Sequence, residues 1–523
     1  MNGVIGTGVT PTGAITIGGA TALPANVTLN GNNLFTGNVT LPAPNTQPFS
    51  VLTVTNSGAL GVGPKTVASQ GGGEIHLQNN ITLAANISFT TSGNSSRAVI
   101  SNDSGNNTID GNISMASGNG GTAISSGSGL LTLNGNLSAT ATSRDLKLRG
   151  NGNGVINGVI ANGSTVNLPV SKGQGSGTWT LNAANTYSGA TTVSAGTLAL
   201  GNAAALGTGA AVVNGGFLDL GGQTVANAVT VNAAGTLTGS GAAGAATLAG
   251  SVTPGGSGSG LITVASATVA ATSNLALQLG GTGVRGTNYD AVTVNSALAL
   301  DGTITVTLNG LVPAATQTFD LIDSTGAINV ASFNVSTDLI LPALDTGLAW
   351  DTSTFATDGQ ITVVVDLDPF GAWATANSVE GGKGGDEDGD GTTNLMEFAT
   401  NADPQSGSSG ARVYGLVHPI GGTPVLTYTV ATRAAAIFAA NGSRQEATKD
   451  FVKYSIEGTN DLSIWNSVVV TEVTGGDATS VRAAIVPALP TLDSGWEWHT
   501  FRTDDNTAVD PTDFIRLNVT EAP

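Results

Sequence analysis

The segment Asp386-Glu-Asp-Gly-Asp-Gly-Thr-Thr-Asn-Leu-Met-Glu397 carries oxygen donors at intervals that suit a hard cation. Asp386, Asp388 and Asp390 stand at positions one, three and five of a twelve-residue loop. Gly391 follows at six, where such a loop turns sharply. Thr392 offers its carbonyl at seven, Asn394 stands at nine, and Glu397 falls at twelve, where a bidentate carboxylate closes the shell. Four carboxylates this close repel one another without a counter-ion. The spacing therefore predicts a Ca²⁺ site built from Asp386, Asp388, Asp390, Thr392, Asn394 and Glu397, with a structural rather than catalytic ion. The plainer reading is an acidic surface loop. A short helix, Asn394-Leu-Met-Glu-Phe-Ala-Thr-Asn401, is expected to follow and to stop before Asp403-Pro404.

Elsewhere the means for bond-making or bond-breaking are thin. The three histidines, His76, His418 and His499, fall in three separate segments, and none accompanies a GxSxG-like sequence. Each reads as a surface or half-buried structural residue. The acids before residue 280 are Glu74, Asp103, Asp110, Asp145 and Asp219, scattered along the chain. Glycosidic cleavage needs two facing carboxylates, which only the fold could assemble from these. In Arg144-Asp-Leu-Lys-Leu-Arg149, alternation puts Asp145, Lys147 and Arg149 on one face and Leu146 and Leu148 on the other. Such a strand is ordinarily the outward face of one coil. Asp504, Asp505, Asp510 and Asp513 form a second acidic group without loop spacing and read as a solvated loop. The absence of cysteine excludes disulfides, thiolate metal sites and cysteine nucleophiles. A net charge of −19 disfavours nucleic acid and anionic membranes as partners.

What must position these residues is mostly strand. Apolar residues make up 40% of the chain but aromatics only 5%, and 75 of the 523 residues are glycine. That balance suits many thin strands better than one thick core. From Gly177 to Gly222 short apolar alternations are broken every few residues by Gly or Asn. Similar pairs occur at Ile75/Leu77, Ile81/Leu83, Ile87/Phe89, Leu131/Leu133, Leu198/Leu200 and Leu218/Leu220. Quasi-periodic short strands predict a solenoid, here a right-handed parallel β-helix with asparagine ladders at its corners. With roughly 20–25 residues per coil, it would hold about 15 coils. A stack of antiparallel sandwiches is the rival, disfavoured by the scarcity of Trp and Tyr. Near Leu275 the alternation lengthens, which reads as the solenoid ending in a unit that covers its last rung.

The all-β reading thus divides the chain into N-terminal β-helix coils (1–176), strand-repeat coils and their terminal unit (177–367), a helical linker with the calcium loop (368–404), and a small antiparallel β-sandwich-like domain (405–523). No apolar run is long enough for a membrane helix. The N-terminal MNGVIGTGVTPTG lacks the basic-then-apolar order of a signal peptide.

Asn185-Thr-Tyr-Ser-Gly, Thr191-Thr-Val and Ala195-Gly-Thr-Leu198 resemble the passenger-associated strand repeats of autotransporter-like surface proteins. Gly239-Ser-Gly241, Pro254-Gly255 and Asn288-Tyr-Asp-Ala-Val-Thr-Val294 fit the same pattern. The resemblance is specific over 177–325 and textural over 1–176. It implies a β-helical stalk outside a bacterial cell. Autotransporters also carry a membrane barrel, and the segment ending in DFIRLNVTEAP does not read as one. The tail resembles large exported proteins of Verrucomicrobia-like bacteria, in which a calcium loop and a small β domain follow strand repeats. The matching pieces are Phe370-Gly-Ala-Trp373, Asp386–Glu397, Asn401-Ala-Asp-Pro404, Tyr454-Ser-Ile-Glu457, Asp461-Leu-Ser-Ile-Trp465 and Phe514-Ile-Arg-Leu517.

The function expected is a non-enzymatic extracellular or cell-surface structural or adhesive protein. Its partners would be further copies of itself, as a fibre or lateral assembly, or a surface or matrix polysaccharide. Two alternatives stand beside it. One is a polysaccharide-active β-helix lyase or hydrolase. The other is a carbohydrate-binding C-terminal module using Trp465, Trp496 or Trp498.

Overall fold

The computed structural model describes residues 5, 12–18, 24–42, 49–93, 97–116, 121–345, 348–365, 368–504, 507 and 512–522. The chain divides into two compact units, Met1–Val364 and Val365–Pro523.

In the first unit each coil contributes strands to parallel sheets of seven, twelve and sixteen strands. This is the architecture of a parallel β-solenoid. Period-two alternation forms the strands and fixes their faces. In Thr178–Leu181, Trp179 and Leu181 are fully buried while Thr178 and Thr180 point away. The register then stacks like on like. In the sixteen-stranded sheet an inward row runs Ile75, Ile100, Ile124, Leu148, Lys172, Val193, Val213, Val231, Leu248 and Val269. A slip of one residue would turn that row to solvent, so burial itself holds the register.

Coil length is not constant. Ile124 pairs with Leu148, but Leu237 pairs with Val252 and Ile304 with Leu339, so the return varies from 15 to 35 residues. The shortening has a structural cause. The seven-stranded sheet ends at Ile160–Ala161, and later coils close their third side with tight turns. The change of texture near Leu275 does not end the stack. Leu275 pairs in parallel with Ile304, which pairs with Leu339. Beyond this lies a small sheet of Thr318–Asp320, Leu348–Asp351 and Gln360–Val365, whose Phe319, Ile361 and Val363 are buried.

Asparagine ladders line the corners, as the Asn-rich breaks predict. Asn182 donates to Asn157 Oδ1 (2.8 Å), Asn157 to Asn134 (2.8 Å) and Asn134 to Asp110 (2.6 Å). Glycine is required at Gly154, where a Cβ would lie 2.4 Å from the Trp179 ring.

In the second unit two antiparallel four-stranded sheets carry the core. One consists of Val413–Ile420, Thr423–Arg433, Trp496–Thr503 and Val470–Val473. The other consists of Ala439–Asn441, Arg444–Lys449, Val452–Thr459 and Phe514–Glu521. The helices Pro369–Ala376 and Asn394–Thr400 share one hydrophobic cluster with these strands, through Phe370, Trp373, Phe398, Ala447 and Tyr454.

Lys172 is the anomaly of the inward row. It is fully buried, and Nζ donates to the carbonyls of Gly175 (3.0 Å) and Ala195 (2.9 Å). Burial lowers its pKa to about 8. The unfolded chain binds this proton up to the ordinary lysine value, so stability should rise with pH from about 8 to 10.5. The penalty below that window is roughly 3 kcal/mol. Lys172→Met is expected to flatten this rise in thermal melts taken across pH 7–11. An unchanged slope would show that Lys172 is not the group responsible.

Candidate functional site

The acidic loop closes on itself through its own carboxylates. Asp386 accepts from the amides of Gly389 and Gly391, both at 2.9 Å. Asp388 Oδ1 accepts from Asp390 N–H (3.1 Å), and Asp390 Oδ1 from Thr392 N–H (2.7 Å). Gly389 (φ 74°) and Gly391 (φ 88°) take the left-handed backbone that these turns need. One ligand oxygen from each of Asp386, Asp388 and Asp390 lies within 4.8 Å of the others. Glu387, between ligand positions, turns away to accept from Glu380 N–H (3.0 Å).

Asn394 and Glu397 follow on the helix Asn394–Thr400 and are buried. Asn394 is fixed by Nδ2 donating to Gly382 O (2.7 Å) and N–H to Gly385 O (2.8 Å). Its Oδ1 has no partner, nor have Asp388 Oδ2 and both oxygens of Glu397. Glu397 stays outside the tight aspartate trio. Burial first, then the charges of Asp388, Asp390, Asp386 and Asp403, push its pKa up to about 7. Buried oxygens without donors are costly, and a carboxylate among carboxylates doubly so. The donor set is all oxygen, and its orphaned atoms belong to residues the spacing nominates. It fits a hard divalent cation.

The solenoid also gathers charges that the sequence scatters. Glu74 and His76 lie on one coil, and Arg97 and Asp103 on the next. His76 Nδ1 meets Asp103 Oδ2 at 2.8 Å and its Nε2 meets Glu74 Oε2 at 3.0 Å. Arg97 Nε pairs with Glu74 Oε1 at 2.6 Å, and Ser101 Oγ donates to Asp103 (2.9 Å). Burial opposes charge on His76, but the bonds to Glu74 and Asp103 outweigh it and raise the pKa. Both ring nitrogens are engaged, so the ring presents no open nitrogen to a substrate. Two coils on, Lys147 pairs with Asp145 (3.1 Å), while Leu146 and Leu148 point inward.

The other nominated residues stay apart. His418 meets Ser480 Oγ (3.0 Å), and His499 meets Glu472 (2.6 Å) and Glu497 (3.3 Å). Asp504 pairs with Arg502 (3.4 Å) and Asp513 is buried, whereas Asp505 and Asp510 lie outside the described residues. Arg516 stands over the Trp465 ring and Arg433 over Trp496, each at 4.1 Å, and Tyr414 meets Trp498 edge-on at 5.7 Å.

The repeat at Asn185-Thr-Tyr-Ser-Gly was legible in the sequence, but the role of its asparagine and its second copy at Asn33 were not. Asn185 is a buried clamp across three coils: Oδ1 accepts from Ile160 N–H (2.8 Å), and Nδ2 donates to Ala205 O (2.6 Å). Asn33 does the same with Ile5 N–H (2.8 Å) and Ala59 O (2.6 Å). The following coil matches too. Thr208 N–H bonds Tyr187 O (2.9 Å), as Val62 N–H bonds Phe35 O (3.0 Å). Gly207 and Gly61 share a positive φ, and a Cβ on either would strike the aromatic residue's carbonyl. The signal was present as Asn-x-aromatic-hydroxyl-Gly followed by Asn-x-x-Ala-Leu-Gly, at 33–37 with 56–61 and at 185–189 with 202–207.

Comparison with known families places a match on the second of these copies. Residues 174–200 match the family described as Passenger-associated-transport-repeat. No curated protein and no solved structure matches the chain. Among the described residues no helix is long and apolar enough to cross a membrane. The repeat is one found in autotransporter passengers, which agrees with an exported, cell-surface protein and, at that coarse level, with a non-enzymatic role.

Proposed function

We propose that this chain is an extracellular or cell-surface structural and adhesive protein, in which a right-handed parallel β-helix is combined with a calcium-stabilised C-terminal module. The carrying observation is the transport-repeat match at 174–200, set within parallel coils whose walls are nearly uncharged. Long faces of Thr, Asn and Ser suit lateral contact and hydroxyl-rich surfaces. Surface location is tested by treating intact producing cells with proteinase K. The chain is expected to be degraded without lysis. Protection until the cells are broken would overturn the reading.

In the second unit Asp386, Asp388, Asp390, the Thr392 carbonyl, Asn394 and Glu397 would hold Ca²⁺, which would neutralise the carboxylates. The helix bearing Glu397 is tied to the sheets. Tyr454 Oη donates to Ala399 O (3.0 Å) and Trp496 Nε1 to Phe398 O (2.7 Å). Ordering the loop therefore stabilises the core behind it. Saturating calcium, at about 100 times its Kd, is expected to stabilise the fold by about 3 kcal/mol. Glu397→Gln should raise the melting temperature in chelator, by removing the orphaned charge, and abolish most of the calcium increment. A melt of the unaltered chain that ignores calcium would remove the proposal.

A further inference from the structure

Before residue 285 the charges of the solenoid are not spread evenly over its walls. Eleven formally charged residues precede Arg285. Six of them, Glu74, Arg97, Asp103, Asp145, Lys147 and Arg149, gather with His76 on or beside the outward face of the sixteen-stranded sheet. They occupy the coils whose inward residues are Ile75, Ile100 and Leu148, and the Ile124 coil between the last two carries none of them. One outward row runs Thr53, His76, Ser101, Ser125 and Arg149. At one strand spacing per coil, His76 and Arg149 stand about 14 Å apart. The two serines lie between them.

At the Arg149 end the face sinks into a groove of about 340 Å³, lined by Ala98, Ser125, Arg149, Asn151, Gln174 and neighbouring glycines. Among the described residues, Arg149 is the only charged one lining it. The strip's three carboxylates are matched by three basic side chains, so it lacks the negative sign of a chain whose net charge is −19. Its other groups are hydroxyls and amides. Among the described residues, the row and groove carry no Trp, Tyr, Phe or large apolar side chain, so they lack the anchors a protein partner uses and the platforms a nucleobase stacks on. What they offer is hydrogen bonding to a hydroxyl-rich chain and one guanidinium for an acidic substituent.

We infer that the outward row from His76 to Arg149 binds a linear acidic polysaccharide, with a sugar carboxylate seated in the groove against Arg149 and the chain's hydroxyls along Ser125 and Ser101. This deepens the adhesive reading and rests on it, by giving the adhesion a ligand class and a place. The row runs from coil to coil, so a polymer lying along it meets a polar group at each step. A compact ligand would use the groove alone.

The test uses the purified full-length chain in affinity electrophoresis, with alginate as the polyuronate and dextran as the neutral control. Alginate is expected to retard the protein and dextran is not. Raising salt from about 50 to 500 mM should weaken the retardation, because the contact is ionic and the groove opens to solvent. Arg149→Ala should weaken alginate binding by about tenfold, and Arg149→Lys by less, since charge returns without the fork. Unchanged thermal melts would show that both variants fold. Ser125→Asn is a second probe that blocks the groove without altering charge, and it should weaken binding too. Equal retardation by dextran, no retardation by either polymer, or full alginate binding by folded Arg149→Ala would each overturn the assignment. Binding is measured on purified protein, so its failure is distinct from protease protection on intact cells, which tests location alone.

Discussion

Each coil of the first unit must bring its backbone back into register with the coil before it. Parallel strands cannot close through a two-residue hairpin, so every return passes through corners whose own polar groups need partners. Most features of this unit answer that demand. Aliphatic residues stack inward because the register repeats. Asparagines stack at the corners because each amide can accept from one coil and donate to the next. Glycines sit where a Cβ would strike the carbonyl of the preceding coil, as at Gly61 and Gly207. Even Lys172 serves the corner. Its stem lies in the aliphatic row and its amine reaches carbonyls of the turns at Gly175 and Ala195.

The buried clamps at Asn33 and Asn185 show how little sequence this constraint needs. The two copies differ at five of their eleven motif positions, yet the hydrogen bonds of their clamps agree atom for atom. An apolar replacement would leave one amide and one carbonyl unpaired inside the stack. The aromatic residue two positions on, Phe35 or Tyr187, is fully buried and offers its carbonyl to the next coil. A motif that supplies both bonding and bulk can end one kind of coil and begin another. The Asn185 copy lies where strands of the third sheet give way to turns. That is also where the transport-repeat match falls.

What the sequence made legible follows from locality. Alternation within single strands was plain, so Leu146 and Leu148 fell inward and Asp145 and Lys147 outward, as they do in the fold. The loop spacing named Asp386, Asp388 and Asp390, and these do converge. Coil length was not legible, because it depends on whether a third strand or a turn closes the coil. Nor was the meeting of Glu74, His76, Arg97 and Asp103. His76 and Asp103 are 27 residues apart, and only the return of one coil sets them side by side. The alternation near Leu275 suggested an ending because the strands lengthen there, yet longer strands can still stack in parallel, and they do.

The second unit meets the opposite problem, since its helix is held before its loop is satisfied. Phe398 packs edge-on against Phe370 and lies beside Trp373 and Trp496, while the carbonyls of Phe398 and Ala399 accept from Trp496 and Tyr454. Glu397 precedes these anchored residues directly. A helix free to rotate would turn that carboxylate to water, where a charge costs little. Here rotation would break two buried hydrogen bonds and unpack the aromatic cluster, so the side chain stays inside with neither oxygen bonded. Thr393 caps the same helix, with its Oγ1 accepting from Met396 N–H, and this fixes where the loop must enter. Anchored at both ends, the segment can relieve its carboxylates by protonation or by a cation. Protonating Glu397 answers one charge and leaves Asp386, Asp388 and Asp390 facing one another. A divalent ion bound by the trio, with Glu397 drawn to it, would offset more of that charge than one proton can, and this is the physical basis of the calcium proposal.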